Sequence, residues 1–193
     1  MTPQTAPLNI DTVRTQARQH MESGAVTVGY QANRTQVLDM LNDALATELV
    51  CALRYRRHHF MVRGLESPTL ATEFLEHANE ELAHADLLAA RIVQLGDEPD
   101  FSPDTLSRRS HAQYVTAPNL PAMVRENLVA ERIAIDCYRH FITLLRDDDP
   151  TTRRMLESIL AVEEQHADEL AGLLKGLPLQ LMTSEPGARA TDQ

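Results

Sequence analysis

The chain has 193 residues, which is enough for one well-buried domain and short for two. A formal charge of −10 argues against a protein that grips nucleic acid through its bulk surface, because phosphate binding depends on clustered Lys and Arg. Only 7 glycines, no tryptophan and many Ala, Leu, Glu and Arg residues favour an all-α fold over a sheet.

The first 32 residues are predicted to form an N-terminal extension with a short surface helix. Four apolar residues in this segment recur at helical spacing: Ile10, Val13, Ala17 and Met21. The segment is short, and the stretch 24–29, which begins and ends with glycine, interrupts it. We therefore expect a surface helix and a loop ahead of the main domain at residues 33–176.

The first long helix is predicted to begin at Asn33, a plausible N-cap, and to end at Arg63 before Gly64. Its apolar seam recurs every three or four residues and contains Glu48, with Tyr55 seven residues later. A buried, uncompensated carboxylate costs several kcal/mol or becomes protonated. Glu48 is therefore a candidate for binding a cation.

The second long helix is predicted to begin at Ser67-Pro68, an N-cap followed by proline at the first helical position, and to stop at Gly96. Glu81 and His84 lie on its apolar face. A helix turns about 100° per residue, so residues three apart lie on one face, one turn apart. Both side chains can therefore reach one metal.

Residues 97–119 contain three prolines and several serines, and they predict a crossover without a long helix. A connector of that length can run the length of a helical bundle. The third long helix is predicted from Leu120 to Arg146. Glu131 interrupts its apolar seam, and Tyr138 follows seven residues later.

The fourth long helix is predicted to start at the Asp149-Pro150 cap and to run to about Lys175. Glu163 and His166 share its inner face, again three residues apart. The remaining segment, residues 177–193, is expected to be a small, polar and mobile tail.

The acidic and histidine positions form an internal duplication. The string Glu-x-x-His-Ala-Asp occurs twice, about thirty residues after a Glu-x6-Tyr each time, and the halves are offset by 82 to 83 residues. Four carboxylates and two neutral imidazoles supply roughly the charge that neutralises two divalent cations, and donors without thiolate suit iron or manganese. The predicted metal ligands are Glu48, Glu81, His84, Glu131, Glu163 and His166.

Together these motifs resemble the ferritin-like superfamily and, within it, the bacterioferritins and the bacterioferritin-like relatives of the Dps cages. The likeness covers about residues 34–176. It implies a four-helix bundle with a long crossover between the second and third helices. It also implies that Glu48 and Glu131 are terminal ligands and that Glu81 and Glu163 bridge the two metals. His84 and His166 would each bind one metal.

The resemblance further implies that Tyr55 and Tyr138 are catalytic groups that orient a glutamate or quench an oxidising equivalent. In bacterioferritins a Met directly after the first bridging Glu holds haem, and because Leu82 occupies that position here, no haem is predicted. Ferritins of 24 subunits have a short fifth helix where Pro178 and Pro186 interrupt this tail, so a twelve-subunit cage is favoured.

The function implied by the resemblance is that of a ferroxidase and iron-storage or detoxification protein. It would bind two Fe(II), oxidise them with O2 or H2O2 and store Fe(III) in a homo-oligomeric cage. One alternative is a dimanganese catalase or a rubrerythrin-like peroxidase, although the chain lacks the four cysteines of a rubredoxin domain. An alternative of another class is a DNA-protecting protein of the Dps type, although the acidic charge makes nucleic acid an unexpected partner.

Several neighbouring residues have two interpretations each. His77 is either an accessory iron ligand or, more simply, a partly buried histidine. Glu80 and Glu164 lie about 100° from the seam and are expected to be solvated. Asp86 and Asp168 lie about 200° from their own histidines, so they either support a ligand on a neighbouring helix or face solvent.

The remaining polar features were assigned to the surface or to the core. A basic cluster on the first helix is predicted to be a subunit contact or a solvated face: Arg54, Arg56, Arg57, His58 and His59. Cys51 and Cys137 are expected to be buried thiols, too far apart for a disulfide. With no disulfide framework, no secretory signal and no apolar run long enough for a membrane helix, we expect a cytoplasmic protein without a membrane partner.

Overall fold

The computed structural model describes residues 8–62 and 67–177. Within those ranges the chain is all-helical, as predicted. The four long helices are α2 (Arg34–Val62), α3 (Pro68–Gln94), α5 (Leu120–Leu145) and α6 (Pro150–Gly176). Two short helices, α1 (Ile10–Gln16) and α4 (Pro103–Arg109), and a 3-10 turn at Met21–Ser23 complete the described secondary structure.

The long helices pair as two hairpins, because α2 packs chiefly against α3 and α5 chiefly against α6. The hairpins meet with α2 and α5 antiparallel. Tyr55, near the end of α2, contacts Glu131, whereas Glu48, one heptad earlier, contacts Tyr138. This arrangement requires the segment between α3 and α5 to travel along the bundle, as the long crossover predicts.

Local chemistry sets the ends of the long helices. Asp149 caps α6 by accepting a hydrogen bond from the Thr152 backbone N–H at 2.9 Å, and Asn119 caps α5 in the same way. Asn33 accepts from the backbone N–H of Gln36 at the start of α2, as expected. Ser67 precedes α3 at the predicted position, but its hydroxyl makes no capping hydrogen bond.

The crossover lies against the outer side of α2, where α4 contacts that helix. Arg109 donates to the Asn42 carbonyl oxygen at 2.8 Å, and the His111 backbone N–H donates to the Thr47 hydroxyl at 3.0 Å. As a result, α2 is covered on two sides, and no residue of 43–52 is exposed. A helix with two packed faces buries more of its circumference than an apolar seam indicates.

A largely buried polar cluster and a few apolar contacts join the N-terminal segment to the bundle. No residue of α1 is buried, so this helix lies on the surface, whereas Val26 and Ala32 pack against the core. Further along, Tyr30 donates to Asp149 Oδ2 at 2.8 Å, and Arg91 donates to both oxygens of the same carboxylate at 2.9 and 3.0 Å. Asp149 therefore connects the N-terminal segment, α3 and the start of α6.

Two apolar clusters fill the bundle, one on each side of its middle. Leu41, Leu88 and Leu156 are fully buried in one, and Phe74 and Leu170 are fully buried in the other. Burial of each such side chain stabilises the fold by about 1.5–3 kcal/mol. The polar residues between the clusters are therefore held in a dry interior.

None of the helices in the described ranges has the length and hydropathy of a membrane span. A mobile tail was predicted at residues 177–193, but the residues after 177, including Pro178 and Pro186, lie outside the described ranges. The predicted helix end at Arg63 and Gly64 also falls outside them.

Candidate metal centre

The six predicted ligands lie together at mid-height between the two apolar clusters. Each of the four long helices supplies at least one: Glu48 from α2, Glu81 and His84 from α3, Glu131 from α5, Glu163 and His166 from α6. The most exposed of the six has only 6% of its surface accessible. The duplicated motifs therefore converge on one buried site.

The donor atoms form two overlapping sets, within each of which all atoms lie within 4.8 Å of one another. The first set comprises Glu48, Glu81, His84 and Glu163, and the second comprises Glu81, Glu131, Glu163 and His166. Glu81 and Glu163 belong to both sets. A carboxylate shared in this way can reach two metals, one through each oxygen.

The site leaves many buried polar atoms without a partner. Across residues 8–62 and 67–177, nine buried side-chain nitrogen or oxygen atoms lack a hydrogen bond, and all but two belong to the predicted ligands. The seven are Glu48 Oε2, Glu81 Oε1, His84 Nδ1, Glu131 Oε2, both carboxylate oxygens of Glu163, and His166 Nδ1. Two of them, His84 Nδ1 and Glu163 Oε1, lie 2.8 Å apart and can form an ion pair when the histidine is protonated. Each such atom costs about 1–3 kcal/mol, so this concentration is unfavourable without a cation. Four carboxylates and two imidazoles fit two divalent ions.

Without metal, protons offset part of the crowded negative charge. Burial, followed by the charges of neighbouring glutamates, raises the pKa of Glu81 and of Glu163 well above the usual range. Burial alone would lower the pKa of His84, but the nearby carboxylates of Glu48 and Glu81 outweigh it and raise this pKa to about 10. Metal binding at the site must therefore release protons.

The two tyrosines hold glutamates of the opposite half. Tyr55 donates its hydroxyl hydrogen bond to Glu131 Oε1, and Tyr138 donates to Glu48 Oε1. In both glutamates the other oxygen, Oε2, is left without a partner. Burial and then the nearby carboxylates raise the pKa of each phenol well above 10, so both remain hydrogen-bond donors.

Glu80 is exposed, as expected, and it also contacts a predicted ligand. Its side chain is 53% exposed, and its Oε2 accepts a hydrogen bond from His166 Nε2–H at 2.7 Å. That bond places the histidine proton on Nε2 and leaves the Nδ1 lone pair for the centre. The duplication does not extend to this contact, because Val162 occupies the corresponding position in the second half.

His77 is buried against the centre rather than partly buried. It is 2% exposed, and its ring stacks on the ring of His166 with centroids 4.1 Å apart and planes 18° apart. Its Nδ1 lies 3.3 Å from the Tyr55 hydroxyl oxygen, and its Nε2 lies 3.1 Å from Glu169 Oε2. Sequence reasoning missed Glu169, although it lies one helical turn beyond His166.

The other neighbouring acids lie at the surface. Asp86 and Asp168 are both exposed, so the interpretation in which they support a ligand is wrong. Glu164 is exposed as expected and pairs with Arg139 at 2.7 Å. The residues behind the ligands are therefore Glu80 and His77, not the aspartates of the repeated string.

The basic cluster is not a surface feature. Arg54, His58 and His59 are buried, and only Arg56 of the five is exposed. Arg54 Nε donates to the side-chain oxygen of Asn127 at 2.9 Å, and the same oxygen lies 3.1 Å from His58 Nδ1. The surface prediction failed for Arg54 and His58 because the crossover and α5 cover them, and for His59 because its ring lies against the Ala71 carbonyl oxygen of α3.

Cys51 is buried as predicted, but Cys137 is only partly buried, which corrects the second half of that prediction. Both thiols are free. Burial raises the pKa of Cys51 well above its usual value, so this thiol stays protonated.

The sequence model of the ferritin-like domain matches residues 38–179. A bacterioferritin from Desulfovibrio desulfuricans is 27% identical over 134 residues, covering 69% of this chain and 71% of the relative. A nutrient stress-induced DNA-binding protein from Nostoc sp. is 30% identical over 157 residues, covering 78% of this chain and 83% of the relative.

Solved structures agree with the predicted bundle. A bacterioferritin-related protein from Bacteroides fragilis, described as a dodecameric thioferritin, matches with a TM-score of 0.71 and 30% identity, covering 75% of this chain and 88% of that chain. The D. desulfuricans bacterioferritin, described with a diiron site, matches with a TM-score of 0.67 over 80% and 95% of the two chains. Because this second match is only 24% identical in sequence, it supports the fold and nothing further. The predicted ferritin-like fold is confirmed.

Proposed function

We propose, from the premise that this chain belongs to the ferritin-like domain family, that it is a ferroxidase that stores or detoxifies iron. The observation that carries the proposal is the convergence of seven buried donor atoms without a hydrogen bond, from six residues of four helices. Bound cations would give each of these atoms a partner. Iron suits the oxygen and nitrogen donors, and the bacterioferritin relatives support iron over manganese.

In the proposed reaction two Fe(II) ions are the substrate. Together they give up two electrons, which with two protons reduce O2 to H2O2, or H2O2 to two waters. The six ligands hold the ions side by side, and the four carboxylates neutralise their charge. Because protons leave Glu81, Glu163 and His84 when the ions bind, the same groups offer nearby sites for proton exchange.

Tyr55 and Tyr138 are proposed to position Glu131 and Glu48 as terminal ligands. Each phenol occupies Oε1 of its glutamate and so directs Oε2 toward the centre. A phenol in contact with a ligand can also supply one electron when fewer than two Fe(II) are bound. Glu81 and Glu163, shared by both donor sets, are proposed to bridge the two ions.

We propose assembly as a homo-oligomeric cage of twelve subunits in preference to 24. The support is the B. fragilis neighbour, which is described as dodecameric. Large apolar side chains on the surface of the single chain, such as Phe60 (64% exposed) and Leu53 (53% exposed), are candidates for subunit contacts. Light scattering coupled to size-exclusion chromatography tests the assembly, and a mass near that of 24 subunits or of one subunit contradicts it.

Two further predictions belong to the proposal. Leu82 still predicts that no haem is bound, and a Soret band in the protein purified from haem-replete cells would contradict this. A cytoplasmic location is supported by the two free cysteines, because extracellular proteins more often carry disulfides.

A DNA-binding role is the rival of another class. The Nostoc relative is described as a DNA-binding protein, and this gives the rival a specific basis. The charge of −10 opposes it, because DNA affinity depends on phosphate contacts by basic residues. A gel-shift assay at physiological salt decides, since tight and salt-sensitive retardation would support the DNA-binding role.

Aerobic and peroxide-driven oxidation of Fe(II) by the metal-free protein tests the proposed activity. The wild-type protein should oxidise two Fe(II) per subunit rapidly, and the double variant Glu48→Ala, Glu131→Ala should lose this phase. Glu164→Ala, which removes a surface acid next to Glu163, is the control and should keep it. Rapid oxidation by the double variant contradicts the proposal. Oxygen evolution from peroxide would instead indicate a catalase.

A further inference from the structure

We propose that Glu73, His77 and Glu169 form a third metal site per subunit, separate from the two-metal centre, that binds one divalent transition-metal ion such as Fe(II). The three residues lie on the seam between α3 and α6. One donor atom from each lies within 4.8 Å of the other two, and none of the three is a predicted ligand of the centre.

The site is built on a buried histidine and opens to solvent. The His77 side chain is 3% exposed, whereas that of Glu169 is 38% exposed and Glu73 is partly buried. Gln165 donates to Glu169 Oε1 at 2.8 Å, which leaves Glu169 Oε2 to face His77. An ion can therefore enter from the Glu169 side and meet a fixed imidazole.

His77 lies between the centre and the two acids of the third site. Its Nδ1 is 3.3 Å from the Tyr55 hydroxyl oxygen, and its Nε2 is 3.1 Å from Glu169 Oε2. The buried ring is therefore fixed with Nε2 turned toward the acids.

The chemistry of the cluster suits one divalent transition-metal ion. Two carboxylates and one imidazole supply oxygen and nitrogen donors, and the charge of the two ionised carboxylates is neutralised by one such ion. The spacing of the donors agrees. Nitrogen and oxygen ligands bonded to one ion at about 2.1 Å and close to right angles are roughly 3 Å apart. The observed separation of 3.1 Å is of that size.

The third site exists in only one half of the duplicated chain. The positions that correspond to Glu73, His77 and Glu169 in the other half, 82 residues away, are Met155, Ile159 and Leu87. None of the three offers the oxygen or nitrogen donor of the residue it replaces. The expected capacity is therefore three ions per subunit, not two or four.

The location suggests what the ion does there. His77 stacks on His166, and Glu80 accepts a hydrogen bond from the same ligand, so His77, Glu80 and His166 also place donor atoms within 4.8 Å. An ion held by His77 is one helical turn from the centre, with the Glu80 carboxylate between them. This role rests on the proposed ferroxidase function: the third site holds Fe(II) on its way to the centre, or iron that is leaving the centre. Metal binding itself does not depend on that function.

Equilibrium dialysis of the metal-free protein against Co(II), with metal quantification, tests the site without any turnover. The wild-type protein should bind three Co(II) per subunit. Glu73→Gln and Glu169→Gln keep the shape of the side chains and remove the charge, and each should weaken the third binding event by roughly 10-fold or more while two ions remain. Glu164→Gln, an exposed α6 acid outside the cluster, is the control and should bind three.

The outcomes separate the two proposals. The third site is overturned if the wild-type protein binds only two ions. It is also overturned if both Gln variants bind three ions with unchanged affinity. Neither result affects the two-metal centre. Conversely, if the Glu48→Ala, Glu131→Ala variant binds one Co(II) that Glu169→Gln then removes, the third site stands by itself. Nitrogen-15 spectra of His77 give an independent readout: a doubly protonated ring that Co(II) does not perturb would also overturn the site.

Discussion

Tyr55 on α2 donates its hydroxyl hydrogen bond to Glu131 on α5, not to Glu48, the glutamate of its own helix. Tyr138 makes the reciprocal bond to Glu48. Each half of the duplicated chain therefore orients a metal-facing carboxylate of the other half. The centre is a joint product of both hairpins, and neither hairpin contains a complete site.

Removal of either phenol should weaken both the fold and the centre. In Tyr55→Phe, the Oε1 atom of Glu131 loses its partner while it stays buried, which should lower the free energy of unfolding by about 1–3 kcal/mol. Fe(II) oxidation should also slow, because Glu131 is less well oriented. Denaturant unfolding and stopped-flow oxidation measure the two effects. The exposed Tyr114 offers the control Tyr114→Phe, which should change neither; equal effects at both positions would refute the orienting role.

Loss of the Glu80 carboxylate should act on one metal more than on the other. Glu80→Ala removes the acceptor that keeps the His166 proton on Nε2, so affinity at the half of the centre that uses His166 should fall roughly 10- to 100-fold. Stepwise Co(II) titration followed by absorption should show one weakened event of the two that belong to the centre. Glu76→Ala removes an exposed acid one turn earlier and should leave both of these events unchanged. An unchanged titration of Glu80→Ala would show that the bond does not orient His166.

Metal should stabilise the protein more at neutral than at acidic pH. The raised pKa of Glu81 and Glu163 means that the folded, metal-free protein holds protons that the unfolded chain releases above about pH 4.3. These two groups therefore destabilise the metal-free fold increasingly as pH rises from there toward the raised values. Bound metal replaces the protons, so the increase in Tm on adding Zn(II) should be larger at about pH 7.5 than at about pH 5.5. Equal increases at both pH values would contradict this linkage.

The Asp149 cluster should dominate the stability of one end of the bundle. Asp149→Ala leaves the buried Arg91 without its carboxylate and removes the cap of α6, which should cost about 3–5 kcal/mol. Burial alone would raise the pKa of Asp149, but hydrogen bonds from Thr152, Tyr30 and Arg91 lower it. Its contribution is therefore complete at neutral pH and is lost as pH falls below about 4, through the lowered value.

Denaturant unfolding at about pH 7 and about pH 3 checks that prediction. The wild-type and Asp149→Ala proteins should differ strongly at the higher pH and converge at the lower one. Asp147→Ala, two residues earlier, removes a side chain that is 97% exposed and should change stability by less than about 1 kcal/mol. If the difference in the free energy of unfolding between the wild-type and Asp149→Ala proteins does not shrink in acid, the ionised pair of Arg91 and Asp149 is not its source.

The amino-acid sequence by itself determined the four long helices, their caps and prolines, and the six acids and histidines in their apolar seams. These features are readable because helical periodicity is local, and a charged residue in an apolar stripe stands out against it. The same periodicity carries no information about which helix lies opposite. For this reason the reciprocal bonds of Tyr55 and Tyr138, the hold of Glu80 on His166 and the contact of His77 with Glu169 were decided only by the tertiary structure.

The burial of Arg54 and His58 was decided in the same way, because it depends on the crossover and on α5, which cover a second face of α2. Side chains from distant parts of the chain meet only after the helices pair antiparallel. The identity of the donors was therefore encoded locally, whereas their partners and hydrogen-bond directions came from packing.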